Sequence, residues 1–276
     1  MMKRAIVVAS FGVADAAARK HCLDVLAEEI ADAHPDYDVV QAYTSAFLRK
    51  RLQKEGVSIP SLEERMEELS AKGYGTVLIQ PSHLTPGEEY SNKVLGAARA
   101  FQGRFSSLLV GEPLFFLFRE DGGRDDYSAA LEAVWQAMAI PSGEELVLLG
   151  HGSPHRHNPV YERLQARADK AGFPIHIGVV EESDTPNFSM VTERLRKRGG
   201  RNILLAPLLL SGGVHVTEDM AGDSPSSWKS RLEAEGLSVR TSCKGLGEYP
   251  GIRKLYLGKV ERLVELAEKP VIGSSF

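Results

Sequence analysis

Apolar residues along this chain gather in short, regularly spaced runs. AIVVASF (5–11) is followed by DYDVVQAYTS (36–45), TVLIQPSHL (76–84) and SSLLVGEPLF (106–115). Runs of this length, bounded by glycine, proline or polar clusters, predict strands, and the continuous ones suit a parallel sheet buried on both faces. Helical spacing fills the gaps, over DAAARKHCLDVLAEEIADAH (15–34), around AFLRKRLQKE, and over EEYSNKVLGAARAFQ. Ser61-Leu-Glu-Glu64 has the spacing of a capping box, which opens a further helix that Gly73 closes.

The pattern then restarts. ELVLLGHG (145–152), IHIGVVEE (175–182), NILLAPLLL (202–210) and SVRTSCKGLG (238–247) read as strands. Helices are predicted from Pro159 to Gly172, over FSMVTERLRKRGG, and over the final GIRKLYLGKVERLVELAE. Repeated β-α units argue for parallel sheets flanked by helices. The halves also resemble each other: TVLIQPSHL lies over NILLAPLLL with Pro81 over Pro207, and ASFG (9–12) matches LGHG (149–152). The expectation is an α/β fold with internal duplication: two similar lobes, 1–125 and 126–276, around a cleft. The polar, glycine-rich REDGGRDDY (119–127) would serve as the hinge, and the last helix would pack back on the first lobe. Ligands in such folds sit at the carboxyl ends of parallel strands, so the residues just after each strand are the ones to inspect.

Composition narrows the function. A formal net charge of −4 shows no basic excess, so nucleic acid is not an expected partner. No apolar run approaches the ~20 residues that span a bilayer. Cys22 and Cys243 are far apart and lack CxxC spacing, which argues against a disulfide framework or a structural zinc site. Lys3-Arg4 before AIVVASF faintly mimics a secretion signal, but the run is short and soon meets Gly12 and Asp15. It reads as the first core strand of a cytoplasmic protein. Neither GxxxxGK[ST], nor a strand-linked GxGxxG with an acidic ribose ligand, nor GxSxG occurs, which lowers the case for nucleotide, nicotinamide and esterase chemistry.

The second half places His151 after its first strand, Glu181 and Glu182 at the end of its second, and His215 in the glycine-rich loop after its third. Two imidazoles and a carboxylate suit a divalent transition metal, or acid–base chemistry near neutral pH. Neighbouring strand residues face opposite ways, so only one of Glu181 and Glu182 can serve. Glycines around His151 and before His215 are read as leaving room for a flat ligand. The first half, with Phe11, Gln41 to Tyr43 and Glu88-Glu89 at matching places, keeps the scaffold without the His/Glu/His set. Against this stands a plainer reading: a lone strand-end histidine is more often a surface residue. His155 and His157 read as solvated loop residues. His83 is either a lining group or a satisfied strand-end histidine, and Asp219 and Asp223 read as helix caps.

The chain resembles the class II tetrapyrrole chelatases, most closely the anaerobic sirohydrochlorin cobaltochelatases of the CbiK type. AIVVASFG, YTSAFLRKRL, YGTVLIQPSHLTPGEEY, LLGHGSPH, GVVEE, PLLLSGGVHVTEDMAGDSPSSWK and GLGEYPGIR carry the resemblance, in order, over nearly the full length. It implies two α/β lobes around a cleft, metal-site histidines at His151 and His215, and the catalytic glutamate at Glu181. The reaction implied is ATP-independent insertion of Co2+, or Fe2+ in relatives, into sirohydrochlorin, for cobalamin or sirohaem synthesis. The metal is substrate, no resident cofactor is required, and copies of the chain are expected to associate. The polyanionic macrocycle would meet Arg156, Lys229 and the backbone of Ser10, Phe11 and Gly12 and of Gly212 and Gly213, with His83 lining its cleft. The rivals are a sirohydrochlorin ferrochelatase, a non-catalytic tetrapyrrole or metal carrier, and a metal-dependent lyase or hydrolase.

Overall fold

The computed structural model describes residues 2–121, 123–153, 157–213 and 215–269, with the side chains of 215–217 outside that description. Among the described residues eight strands form two four-stranded parallel sheets. The first holds β1 (Lys3–Ser10), β2 (Asp38–Tyr43), β3 (Tyr74–Pro81) and β4 (Ser107–Val110). The second holds β5 (Glu144–Gly150), β6 (Ile175–Val179), β7 (Asn202–Pro207) and β8 (Ser238–Thr241). Their orders, β2-β1-β3-β4 and β6-β5-β7-β8, are the same permutation, as internal duplication requires.

The central strands are buried on both faces. Ala5 to Ala9 of β1 and Leu146 to Leu148 of β5 have no exposed surface. Around the first sheet pack Leu62, Met66 and Leu69 from one helix and Tyr90, Val94, Ala97 and Phe101 from another stretch. Around the second pack Val191, Leu195, Trp228 and Leu232. β5 begins with two buried acids. Glu144 is held by Arg240 at 2.6 Å, and Glu145 by Arg198 at 3.1 Å and by His176. These pairs lie at the amino end of the sheet and satisfy charges that would otherwise be costly to bury.

The helices start where their caps predict. Ser61 and Glu64 form a reciprocal capping box before Leu62–Ala71. Asp125 caps Asp126–Met138 and Asn187 caps Phe188–Arg198. The long helix expected over 15–34 is broken by a π-helical turn, Arg19–Asp24, between Ala16–Ala18 and Val25–Ala33. Further π turns occupy Tyr90–Val94 and His215–Met220, each soon after the third strand of a sheet.

Contacts divide the chain into two compact units: residues 1–14, 24–114 and 254–276 in the first, and 15–23 with 115–253 in the second. In this division the segment 15–23 joins the second unit, the main crossing falls at 114/115, and the final helix, Pro250–Glu268, lies mostly in the first. Within the first unit Tyr256 of that helix donates from its hydroxyl to the Ser82 carbonyl at 2.8 Å.

Candidate metal and tetrapyrrole site

Register builds the site in the second unit. Leu149 of β5 lies opposite Pro207 of β7, and Gly150 opposite Val179 of β6. The pairing with β6 runs on past the strand: Val180 N–H donates to the Gly150 carbonyl at 2.9 Å, and Glu181 N–H to the His151 carbonyl at 3.0 Å. His151 and Glu181 are thus neighbours at the carboxyl edge of adjacent parallel strands, where ligands collect in such folds.

The glycines beside His151 serve packing, which differs from the expected room for a flat ligand. A Cβ on Gly150 would stand 2.5 Å from the Tyr161 ring. Gly152 has φ +77, and its Cβ would lie 2.9 Å from Glu181 Cβ. The space beside both is filled by the protein. The hydroxyl of buried Tyr161 accepts a hydrogen bond from Gly152 N–H at 3.2 Å, and burial raises the pKa of that phenol. Of the later glycines, a Cβ on Gly212 would stand 3.0 Å from the Cys243 carbonyl, whereas Gly213 has open space where a side chain would stand.

His151 is exposed, with Nδ1 3.2 Å from the Gly152 carbonyl. The Glu181 carboxylate is half-buried, and its Oε1 accepts from the Ser183 hydroxyl at 2.8 Å. Glu182 points elsewhere, to an ion pair with Arg231. His215 opens its π turn, but its side chain lies outside the described residues, as do His155 and Arg156. Among the described residues no group of three His, Cys, Asp or Glu gathers around one point. His151 and Glu181 provide a nitrogen and an oxygen donor, a combination that suits divalent cobalt, iron or nickel.

The loops behind these two residues are tied by groups that sequence reasoning missed or discounted. Asp184, 4% exposed, accepts from Ser153 N–H at 2.9 Å, from Thr185 N–H at 2.8 Å, and from His157 Nδ1 at 2.8 Å. His157 Nε2 is 3.0 Å from Glu162. His157, expected to be solvated, is therefore ion-paired. Its hydrogen bond to Asp184 raises its pKa. Burial works to raise the carboxyl of Asp184, but the bonds from His157, Thr185 and Ser153 outweigh it and leave it low. In the sequence Asp184 is one acid of EESDTP (181–186), and nothing in its spacing sets it apart.

In the first unit the same register puts Phe11 where His151 stands. Ala9 lies opposite Pro81, Ser10 opposite Tyr43, and Ser45 N–H donates to the Phe11 carbonyl at 3.2 Å. Ser45, a helix cap, thus occupies the position of Glu181, rather than Gln41 to Tyr43 as the sequence suggested. Phe11 is 52% exposed, an apolar ring at a ligand edge. Gly12, at φ +109, lies against the Tyr43 ring. Ser10 is buried, and its hydroxyl accepts from that of Ser82 at 2.8 Å. His83 has both ring nitrogens shielded and without a hydrogen-bond partner, and burial pushes its pKa down to about 4. Lys229 is held by Asp223 at 3.0 Å, so each takes up the other's charge.

Residues 4–265 match the cobalt chelatase (CbiK) family. This chain belongs to that family. Among its relatives, the sirohydrochlorin cobaltochelatase of Salmonella typhimurium is 31% identical over 96% of this chain and 98% of its own length. The sirohydrochlorin cobaltochelatase CbiKC of Nitratidesulfovibrio vulgaris is 33% identical over 93% of this chain and 89% of its own. In fold the chain is similar to the sirohydrochlorin chelatase SirB of Bacillus subtilis subspecies spizizenii, solved in complex with cobalt. The TM-score is 0.61 at 17% identity, covering 96% of each chain. As a member of the cobalt chelatase family the chain is a metal chelatase, with the duplicated parallel architecture found in its strands. No helix among the described residues is long and apolar enough to cross a membrane.

Proposed function

We propose that this protein inserts Co2+ into sirohydrochlorin without ATP, and that His151, Glu181 and His215 carry the reaction. The observation that bears most of the weight is the adjacency of His151 and Glu181 at the carboxyl edge of β5 and β6, within a chain that matches the cobalt chelatase family over residues 4–265. The relatives named sirohydrochlorin cobaltochelatases supply the substrate.

The reaction exchanges two pyrrole N–H protons for one divalent ion. The ion must lose water while the ring loses two protons. Neutral imidazoles of His151 and His215 would hold the ion from the protein side, replacing part of its hydration. The carboxylate of Glu181 would complete the ligand set or accept a departing proton. The exchange runs downhill on the stability of the metallated ring, which agrees with the lack of a nucleotide-binding motif. Nitrogen and oxygen donors suit Fe2+ as well as Co2+, so supply and site geometry rather than ligand type choose the metal.

The test is anaerobic insertion into sirohydrochlorin, followed by absorbance, with Co2+ and Fe2+ supplied separately. The expected result is faster insertion than in free solution, higher with Co2+. Loss of the general base costs about a hundredfold or more, so Glu181→Gln should slow insertion by that order while still binding the macrocycle. Preference for Fe2+ would make the protein a ferrochelatase. Binding without acceleration would make it a carrier.

A further inference from the structure

Asp184 is not in the candidate ligand set, yet its side chain holds together the two loops that carry the ligands. Only 1% of that side chain is exposed. Oδ2 accepts from the N–H of Ser153, two residues after His151, at 2.9 Å. Oδ1 accepts from Thr185 N–H at 2.8 Å, and Asp184 N–H donates to the Glu181 carbonyl at 3.1 Å. One residue thus pins the His151 loop against the turn that begins at Glu181.

A brace stands behind it. His157 bridges Asp184 at 2.8 Å and Glu162 at 3.0 Å, and Glu162 also accepts from the Thr185 hydroxyl at 3.1 Å. Glu162 belongs to the helix Val160–Ala171, which packs on β6 and is bonded to it through Gln165, whose side chain donates to the Ile175 carbonyl at 2.9 Å and accepts from Ile177 N–H at 2.8 Å. The chain of contacts therefore runs from the rigid helix, through His157 and Asp184, to the backbone of both ligand loops. The apolar cluster of the second sheet, built on Val147, Leu149, Val191, Leu205 and Trp228, contains none of these groups. The network sits at the edge where an ion would arrive, outside the packing that holds the sheet together.

We infer that Asp184 is a positioning residue for metal capture, holding the His151 imidazole and the Glu181 carboxylate at ligating separation before the ion arrives. The inference rests on His151 and Glu181 being ligands. A site whose donors are already placed loses less freedom on binding, and groups behind metal ligands commonly change affinity about 10- to 100-fold when removed. Asparagine at 184 keeps the shape but not the charge. It offers one acceptor oxygen where the carboxylate offers two, so one loop must be released.

The experiment titrates wild type, Asp184→Asn and His151→Ala with Co2+ alone, reading the visible absorption of the bound ion. Steady-state insertion then separates KM for Co2+ from KM for sirohydrochlorin, and circular dichroism checks the fold. In Asp184→Asn the Co2+ dissociation constant and KM for Co2+ should rise about 10- to 100-fold, with KM for sirohydrochlorin unchanged. Wild-type Co2+ affinity in Asp184→Asn, with affinity lost in His151→Ala, overturns the positioning role and leaves the ligand reading standing. Wild-type affinity in His151→Ala overturns the ligand reading and the positioning role with it. If Asp184→Asn does not fold, His157→Gln at its half-exposed site decides: weakened Co2+ binding supports the role, and unchanged binding overturns it.

Discussion

At the scale of single residues, the chemistry turns on which groups are spent inside the protein and which are not. Ser10, Lys229 and Glu182 all have protein partners, whereas both His83 ring nitrogens are shielded and unpartnered. A buried histidine with a pKa near 4 makes stability sensitive to acid. The unfolded chain takes up a proton near pH 6.5, while the folded chain resists until about 4, so stability present above pH 6.5 is lost as pH falls through that interval. His83→Leu should therefore unfold in urea with a flatter pH dependence between 6.5 and 4 than wild type, and an equally steep loss would contradict the account. Gly150 makes a second residue-scale case. Its Cβ position is 2.5 Å from the Tyr161 ring, and overpacking of this kind costs about 1–3 kcal/mol. Gly150→Ala should lower the urea midpoint by a corresponding amount, and an unchanged midpoint would show that the ring moves aside. The sequence flagged both glycines, but for a ligand. The Tyr161 ring fills the space beside Gly150, and Glu181 and Val179 fill that beside Gly152, and spacing alone does not show that.

At the scale of elements, the strands were legible and their ends were not. Apolar runs continued past the ladders, as in PLLL, where β7 stops at Pro207 while Leu208 stays 4% exposed. Leu208 N–H still donates to the Leu149 carbonyl at 2.7 Å, so bonding to β5 and burial both run past the formal strand end. The π turns were not read from the sequence, since each is only 5 or 6 residues long and too short to set a period of its own. The loops after β5 and β6 were legible as a place but not as a network, since Asp184 and His157 are 27 positions apart. Their pairing predicts a pH window. His157, raised above its ordinary value by Asp184, contributes stability that is complete below pH 6.5 and lost as pH rises through its folded pKa. Asp184, held low, contributes above the ordinary carboxylate range and loses that as pH falls through its depressed value. His157→Gln should thus cost more stability relative to wild type at pH 6 than at pH 9 in urea unfolding. An equal cost at both would mean the pair is no ion pair in solution.

At the scale of the whole molecule, duplication explains the division of labour. Two sheets with one strand permutation place Phe11 and Ser45 in one unit where His151 and Glu181 stand in the other. The prolines that aligned in the sequence, Pro81 and Pro207, do sit at equivalent positions, opposite Ala9 and Leu149, each the next-to-last residue of its central strand. That alignment was readable because a strand-ending proline leaves a mark that burial cannot blur. The His/Glu/His set at the strand ends occurs in only one copy, and the sequence shows that directly. The partner of Glu181 in the other copy was not readable, because it depends on pairing beyond the formal strand end. The central claim is that metal insertion resides on the His151–Glu181 edge. Its most direct test is Co2+ insertion into sirohydrochlorin, without oxygen, by wild type and by His151→Ala at matched protein and metal. The account predicts enzyme-dependent insertion in wild type and its near-complete loss in a folded His151→Ala that still binds the macrocycle. Wild-type insertion by His151→Ala would contradict it.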